Sequence, residues 1–201
     1  MSNCTSKASS FALMVELILV AVCVGCMPVI DQPVGEFLPP SQVNTICGVW
    51  LSDSGELMSV VSRDGTLFVA HQTFNAKSLR FEVQTCIANP RKLGDTIVVF
   101  LQSSDSNNYS FVSIALNIDG TEMELRMPSA NGFAGAVKAG KLKGSVDFPA
   151  TISVNDGPVV RLDITENEFR SVLENGSAET FFPVDSRVNF KKIQGARIKS
   201  E

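Results

Sequence analysis

Apolar and polar residues alternate along most of the chain from residue 48 onward, and turn residues separate the alternating runs. A period of two is typical of antiparallel strands that bury one face. Two pairs of runs flank Asp-Gly, a dipeptide that favours the tight turns of hairpins. The pattern predicts a first hairpin of residues 57–63 and 66–72 around Asp64-Gly65, and a second of residues 109–118 and 122–127 around Asp119-Gly120.

Several further runs have the character of strands. Residues 79–86 alternate, and Leu79, Phe81 and Val83 are predicted to form their buried face. Residues 96–101 are continuously apolar, which predicts a strand covered on both sides. The remaining predicted strands are residues 142–148, 151–154, 159–164 and 187–193.

Two short helices interrupt these strands. Residues 131–139 have apolar positions at helical spacing and end at Gly140, a common helix terminator. Residues 165–175 begin with Thr165 as amino-terminal cap and Glu168 three residues later, the capping-box pattern. About nine short strands and two helices predict a mainly β fold, an antiparallel barrel, because closure removes the exposed edges of an open sheet.

The first 25 residues have a different character. One cation, Lys7, precedes an apolar run over residues 17–25, which is still short when it is counted from residue 11. A transmembrane helix needs about 20 apolar residues. A secretory signal peptide needs an apolar run of only about 7 to 15 residues. The sequence predicts a signal peptide of residues 1–25, and an uncleaved anchor is the alternative.

The apolar run ends in Cys23-Val24-Gly25-Cys26, which resembles the lipobox of bacterial lipoproteins. In that family the cysteine after a small residue receives a diacylglycerol lipid and becomes the new amino terminus. The resemblance implies acylation of Cys26 with palmitate-type chains and attachment to the cell envelope. Because Met27 follows instead of aspartate, it implies the outer membrane if the host has two membranes. A plain cleaved signal peptide is the alternative.

Four prolines and no apolar periodicity mark the segment after the leader. Such a composition favours an extended chain. The sequence predicts a lipidated cysteine and Pro-rich tether over residues 26–42, a barrel domain over residues 43–195 and a tail over residues 196–201. In the alternative interpretation, Phe37 and Leu38 pack on the domain as an irregular first segment.

Two cysteines, Cys47 and Cys86, belong to the predicted domain. An exported protein meets an oxidising environment, where a disulfide closing about 40 residues would stabilise the fold by roughly 3 to 4 kcal/mol. The sequence therefore favours a bridge between them. Two buried free thiols are the alternative.

Gly48-Val49-Trp50 at the start of the first predicted strand resembles the G-x-W signature of lipocalin-like, or calycin, barrels. In that family the glycine allows close approach and the tryptophan closes the barrel floor, under a basic residue of the last strand. The resemblance implies this role for Arg187. A core tryptophan of another all-β fold is the alternative. Residues 48–193 also resemble small, uncharacterised bacterial envelope lipoproteins, which implies a lipoprotein-borne β domain and does not point to any particular activity.

Charge and composition exclude several functions. The 201 residues carry a net charge of −4 with acidic and basic residues interspersed, so the chain lacks the basic field needed to bind nucleic acid. A single histidine, His71, excludes a multi-histidine metal site and is expected to be hydrogen bonded or exposed. Five carboxylates are expected at turns or on solvent-exposed strand faces: Asp53, Glu56, Asp119, Glu122 and Glu124. No two of them are expected to form an acid–base pair.

Two weaker patterns complete the sequence analysis. The segment Gly135-x4-Gly140-Lys141 departs from a phosphate-binding loop because Leu142 replaces the serine or threonine and the glycines lie at a helix end. Three lysines there suit a solvated turn or, alternatively, anionic headgroups: Lys138, Lys141 and Lys143. Three methionines suit core filling or an adaptable lipid pocket: Met58, Met123 and Met127.

These patterns predict a non-enzymatic, lipid-anchored envelope protein whose barrel can hold a small apolar ligand. No cofactor, metal or nucleic acid is predicted. The alternative is a structural or interaction module with a filled core, and a hydrolase ranks third because no nucleophile and base are recognisable together. Eight to ten strands leave room for packed side chains or for one small ligand.

Overall fold

The computed structural model describes residues 27–63, 66–75, 78–147, 158–176 and 178–193. Within these ranges the chain forms twelve strands and four helices. The strands are β1 (Val29–Ile30), β2 (Glu36–Phe37), β3 (Gly48–Ser52), β4 (Leu57–Arg63), β5 (Thr66–Asn75), β6 (Arg80–Leu93), β7 (Thr96–Ser103), β8 (Tyr109–Leu116), β9 (Glu122–Arg126), β10 (Gly144–Asp147), β11 (Val159–Leu162) and β12 (Arg187–Lys192). The helices are α1 (Pro40–Ile46), α2 (Ala130–Lys138), α3 (Glu166–Asn175) and α4 (Ala178–Phe181).

Eight antiparallel strands form a closed barrel, which confirms the predicted fold class. β3 to β9 follow one another around the wall, and β12 lies between β9 and β3. The four other strands, β1, β2, β10 and β11, lie outside this wall. Both predicted hairpins form, as β4 with β5 and β8 with β9. The first turn, residues 64–65, and the predicted strand at residues 151–154 lie outside the described residues.

The strands of the barrel are staggered relative to one another, which gives the barrel a shear. Following the paired residues once around the eight strands returns to β3 displaced by 12 residues. At about 3.3 Å per residue and 4.8 Å between strands, this displacement tilts the strands by about 45°. The cross-strand row of Trp50, Met58, His71 and Gln84 therefore rises along the barrel axis. We call the end where β3 begins the lower end and the opposite one the upper end.

Two hydrophobic cores lie on the two faces of the wall formed by β7 and β8. Val99 and Val112 face the barrel interior. Val98, Phe100 and Phe111 face outward into a second core with α2, α3 and α4. The prediction that residues 96–101 are covered on both sides is confirmed. At the centre of the second core, the ring of Phe111 meets those of Phe133 and Phe169 edge-on, at 5.3 and 5.5 Å between centroids.

The two predicted helices are confirmed. α2 ends before Gly140, whose φ of +67° suits glycine. α3 has the predicted capping box, in which Thr165 and Glu168 satisfy each other's backbone N–H groups. The sequence analysis missed α1 and the four-residue α4. None of the helices in the described ranges has the length and apolar character needed to cross a bilayer.

The segment expected to be a tether is part of the fold, so that prediction is wrong. Met27, Ile30 and Leu38 are buried. β1 pairs with both β8 and β11, because β9 ends before it reaches the first residues of β8 and leaves an open edge there. The alternative interpretation is right for Leu38, whereas Phe37 is 80% exposed.

The face of β6 predicted to be buried is exposed. Leu79, Phe81 and Val83 are 75%, 67% and 55% exposed. The alternation is present, but the inward positions are those of Cys86 and Ala88. Beyond them, β5 and β6 extend past β4 and β7, whose last pairings are at Gln72 and Cys86. This projecting hairpin has no barrel interior behind it.

Candidate functional site

The barrel encloses a cavity of about 60 Å³, and every side chain that lines it is apolar. Met58, Met123 and Met127 belong to its wall, together with Cys86. An engineered cavity that binds benzene is about 150 Å³. A ligand larger than a few atoms must therefore displace side chains or extend outside the cavity. Methionines suit such displacement because their unbranched chains adopt many conformations.

The G-x-W residues lie at the lower end of the barrel. Trp50 is fully buried, and its indole N–H donates to the carbonyl of Ile46 at 2.9 Å. This bond joins the end of α1 to the barrel floor. Gly48 has a φ of +145°, and a Cβ at this position would lie 2.6 Å from Cε of Lys192. Glycine suits this position because a side chain would strain a backbone with positive φ, and the end of the Lys192 side chain would also have to move.

The basic residue that covers Trp50 is Lys192, so the assignment of Arg187 to this role is wrong. Lys192 Nζ lies 4.9 Å from the ring centroid and donates to the carbonyl of Thr45 at 2.8 Å. Arg187 is exposed and pairs with Arg126 at the other end of β12. β12 descends from the upper to the lower end of the barrel, so its last residue reaches Trp50 and its first cannot.

A groove of about 240 Å³ opens at the lower end, between the amino-terminal segment and strands β4 to β6. Leu38 and Val43 belong to one side of this lower groove. Leu67, Ala88 and Pro90 line the other side, and all three also line the interior cavity. The lower groove is therefore separated from the cavity by side chains common to both.

Arg91 is the charged residue of the lower groove. Its guanidinium carbon lies 3.4 Å from the ring centroid of Phe37. Among the described residues no carboxylate pairs with Arg91. Glu36, the residue before Phe37 on β2, instead contacts Arg170, at 3.5 Å. The Nε of Arg91 is buried without a hydrogen-bond partner. Burial lowers the pKa of Arg91, because desolvation disfavours the charged form.

The sequence analysis missed Arg91 because its environment depends on tertiary structure. Phe37 reaches it only through the pairing of β2 with β6, where β5 no longer occupies the edge of β6. No periodicity in a proline-rich segment indicates that pairing. Asn44 and Asn89, two further polar residues of the lower groove, were missed for the same reason.

His71 lies inside the upper part of the barrel, 3% exposed, with Nε2 3.3 Å from Oε2 of Glu56. Glu56 is 8% exposed, so its predicted place on a wet face is wrong. The loop after β3 folds over the barrel, and the hydroxyl of Ser52 accepts a hydrogen bond from the Glu56 N–H at 2.9 Å. In the described chain no hydroxyl or thiol bonds to His71. The arrangement is a buried pair without a nucleophile.

The predicted disulfide is wrong, because Cys47 and Cys86 are both free. β4 and β5 lie between β3 and β6, which places the two positions about 14 Å apart along the wall. A disulfide requires Cα atoms within about 7 Å. Burial raises the pKa of Cys86 to about 11. Burial also raises the pKa of the half-buried Cys47, although the charge of Lys192 opposes this effect.

The lysines near α2 lie at its carboxyl end. Gly135 is inside α2 and Gly140 follows it, so this pattern does not precede a helix as a phosphate-binding loop does. Lys138, Lys141 and Lys143 are exposed. Lys143 Nζ lies 3.3 Å from Oε1 of Glu168. Contact of these lysines with anionic headgroups stays an untested alternative to the solvated turn.

The remaining predicted residues add no further site. Asp53, Asp119 and Glu122 are exposed, and Glu124 is half-buried beside Arg126. Cys26 and the predicted signal peptide lie outside the described residues. No group of three or more metal-ligating side chains occurs within the described ranges. Comparison of the chain with protein families, with curated proteins and with solved structures finds no match.

Proposed function

We propose that this protein is a lipid-anchored, non-enzymatic component of the cell envelope whose barrel binds a small apolar ligand. The observation that carries the proposal is the interior cavity, whose lining is wholly apolar and includes three methionines. Apolar cavities of this kind stay dry and gain free energy when an apolar molecule fills them. Flexible thioethers let such a cavity enlarge at low cost.

The anchor in this proposal is supported by the sequence of the leader. Gly25-Cys26 at the end of the apolar run resembles a lipid-attachment site, and the outer membrane is the expected destination in a host with two membranes. Labelling of cells with a palmitate analogue tests this part. Wild type should take up the label and Cys26→Ser should not. Equal labelling of the two proteins contradicts the anchor.

Ligand binding is tested with a fluorescent apolar naphthylamine probe on the purified protein. We expect saturable binding, and strong loss of binding in Val112→Phe, which fills the cavity from β8. Ile118→Phe is the matched control, because Ile118 is fully exposed at a turn and should leave binding unchanged. Binding that is equal in all three proteins, or absent from wild type, contradicts the proposal.

A second candidate function, an interaction module, is favoured by the outer face of β5 and β6. Its outward side chains include no charged residue from Phe68 to Phe74 and from Phe81 to Ile87. The exposed apolar side chains amount to on the order of 600 Å², the upper end for a monomer. A standard interface needs about 800 Å² per partner. The apolar patch of this protein approaches that size. Because the patch carries no charge, its partner needs no opposite charges, and a second copy of the same patch meets this requirement.

Photo-cross-linking in cells tests that candidate. A benzophenone amino acid in place of Phe81 should join two differently tagged copies of the chain, and the same replacement at Ile118 should not. A cross-link at position 81 to a different protein, or the absence of any, contradicts a second copy as the partner.

A further inference from the structure

We infer that the ligand is a single-chain amphiphile with a carboxylate head, whose chain enters the barrel from the lower groove and whose head lies at Arg91. This inference rests on the proposed ligand binding and adds the chemical class and the entrance. It is carried by two independent observations. They are the adjacency of the groove to the cavity and the unpaired arginine of the groove.

The first observation concerns space. The cavity of about 60 Å³ and the groove of about 240 Å³ together reach about 300 Å³, the lower limit for small-molecule sites. They share the side chains of Leu67, Ala88 and Pro90. The side chains of Leu67, Ala88 and Pro90 contain no polar group, so the passage of an apolar chain between them would leave no side-chain hydrogen bond unsatisfied. Movement of Leu67 alone would widen the connection.

The second observation concerns charge. Arg91 has no carboxylate partner among the described residues, and its buried Nε lacks a hydrogen-bond acceptor. An unsatisfied buried donor destabilises the fold, and more so when the group is charged. A negatively charged hydrogen-bond acceptor bound at Arg91 would satisfy this donor and remove this destabilisation. Phe37 stacks on one face of the guanidinium, which leaves its in-plane N–H groups for such an acceptor.

The head group follows from the shape and number of the donors. The planar fork of an arginine matches a carboxylate with two parallel hydrogen bonds. A single charge balances one carboxylate, whereas a phosphate monoester carries nearly two. Asn44 and Asn89 add neutral donors at the same groove. A fatty carboxylate therefore fits better than an alkyl phosphate, and a cationic head does not fit.

The test uses the full chain in isolated envelope membranes, where no new acylation of Cys26 takes place. The probe is a long-chain fatty acid with a diazirine at the chain end, and mass spectrometry locates the adducts. Parallel experiments use diazirine probes of equal chain length with an amine or a phosphate head, and they test which head group the protein binds. Variants are Arg91→Gln, Arg91→Lys and, as matched control, the neighbouring and exposed Lys92→Gln. The emission of the buried Trp50, measured on purified samples of each protein, checks that each variant is folded.

We expect adducts on peptides that contain Met58 or Met123, several-fold weaker labelling by the amine and the phosphate, and a loss of five-fold or more in Arg91→Gln. Labelling of Arg91→Lys should lie between that of Arg91→Gln and that of wild type, and labelling of Lys92→Gln should equal that of wild type. Equal labelling by all three probes with no effect of Arg91→Gln overturns this inference and leaves the proposed apolar binding intact. No adduct on any barrel peptide, from any probe, overturns both.

Discussion

Replacement of Lys192 by methionine isolates the interaction that covers Trp50. Methionine keeps most of the aliphatic stem and removes the ammonium group. The change deletes a charged hydrogen bond to the Thr45 carbonyl at 2.8 Å, which contributes roughly 1.5–3 kcal/mol. It also deletes the attraction to the indole ring at 4.9 Å, about 0.5–1 kcal/mol for a part-exposed cation. We expect the free energy of unfolding to fall by about 2–4 kcal/mol.

Urea unfolding followed by tryptophan emission measures this effect directly, because Trp50 is the sole tryptophan of the chain. For a protein of this size, a loss of about 2–4 kcal/mol corresponds to a decrease in Tm of about 4–16 °C. Two matched controls should change stability by less than about 0.5 kcal/mol. Lys191→Met alters an exposed neighbour in the same strand, and Arg187→Met alters the residue at the opposite end of the strand. The reasoning fails if Arg187→Met costs more than Lys192→Met.

Three further predictions concern stability and reactivity. Thr165→Ala should lower the free energy of unfolding by about 1 kcal/mol in urea. Hydrogen bonds from the backbone N–H of Thr165 and, second, from its hydroxyl lower the pKa of Glu168. The variant loses only the hydroxyl bond, so NMR titration should find the pKa raised but still below its ordinary range. In wild type the stabilisation from this lowered pKa is present above the unfolded-state pKa and is lost as pH falls through the folded-state pKa. Phe111→Ala should destabilise the fold by about 3–5 kcal/mol, measured by the same unfolding experiment, since it removes the central ring of the second core. Iodoacetamide at pH 8 should alkylate Cys47 faster than Cys86, whose thiol titrates at about 11, and peptide mapping should find neither in a disulfide.

Local patterns predicted the elements of this fold well. The capping box of α3, both Asp-Gly hairpins and the barrel class follow from residues within a few positions of one another. Interactions over such short distances in the chain depend on the spacing of residues and on the residues of turns, and both can be recognised in a single sequence. The exposed face of β6 was assigned wrongly for a related reason. Alternation gives two faces, but only the neighbouring strands decide which of them meets the interior.

The candidate site depended on contacts between residues distant in the chain. Lys192 meets Trp50 because β12 descends beside β3, and the direction of the last strand is a property of the closed barrel. Arg91 has no ion-pair partner among the described residues, and a two-residue strand brings the ring of Phe37 to it instead. Glu56 is buried because a short loop turns inward over His71. None of these three arrangements alters the local pattern of the sequence.

In the proposed lipid-anchored form, burial of Met27 would determine how freely the domain could move relative to the bilayer. A tether of 16 extended residues would allow it to sample heights up to about 55 Å above the lipid. With a lipid on the preceding residue, the slack is a single peptide unit, about 3.8 Å. The barrel would then stand at a fixed height and with a restricted orientation relative to the headgroups.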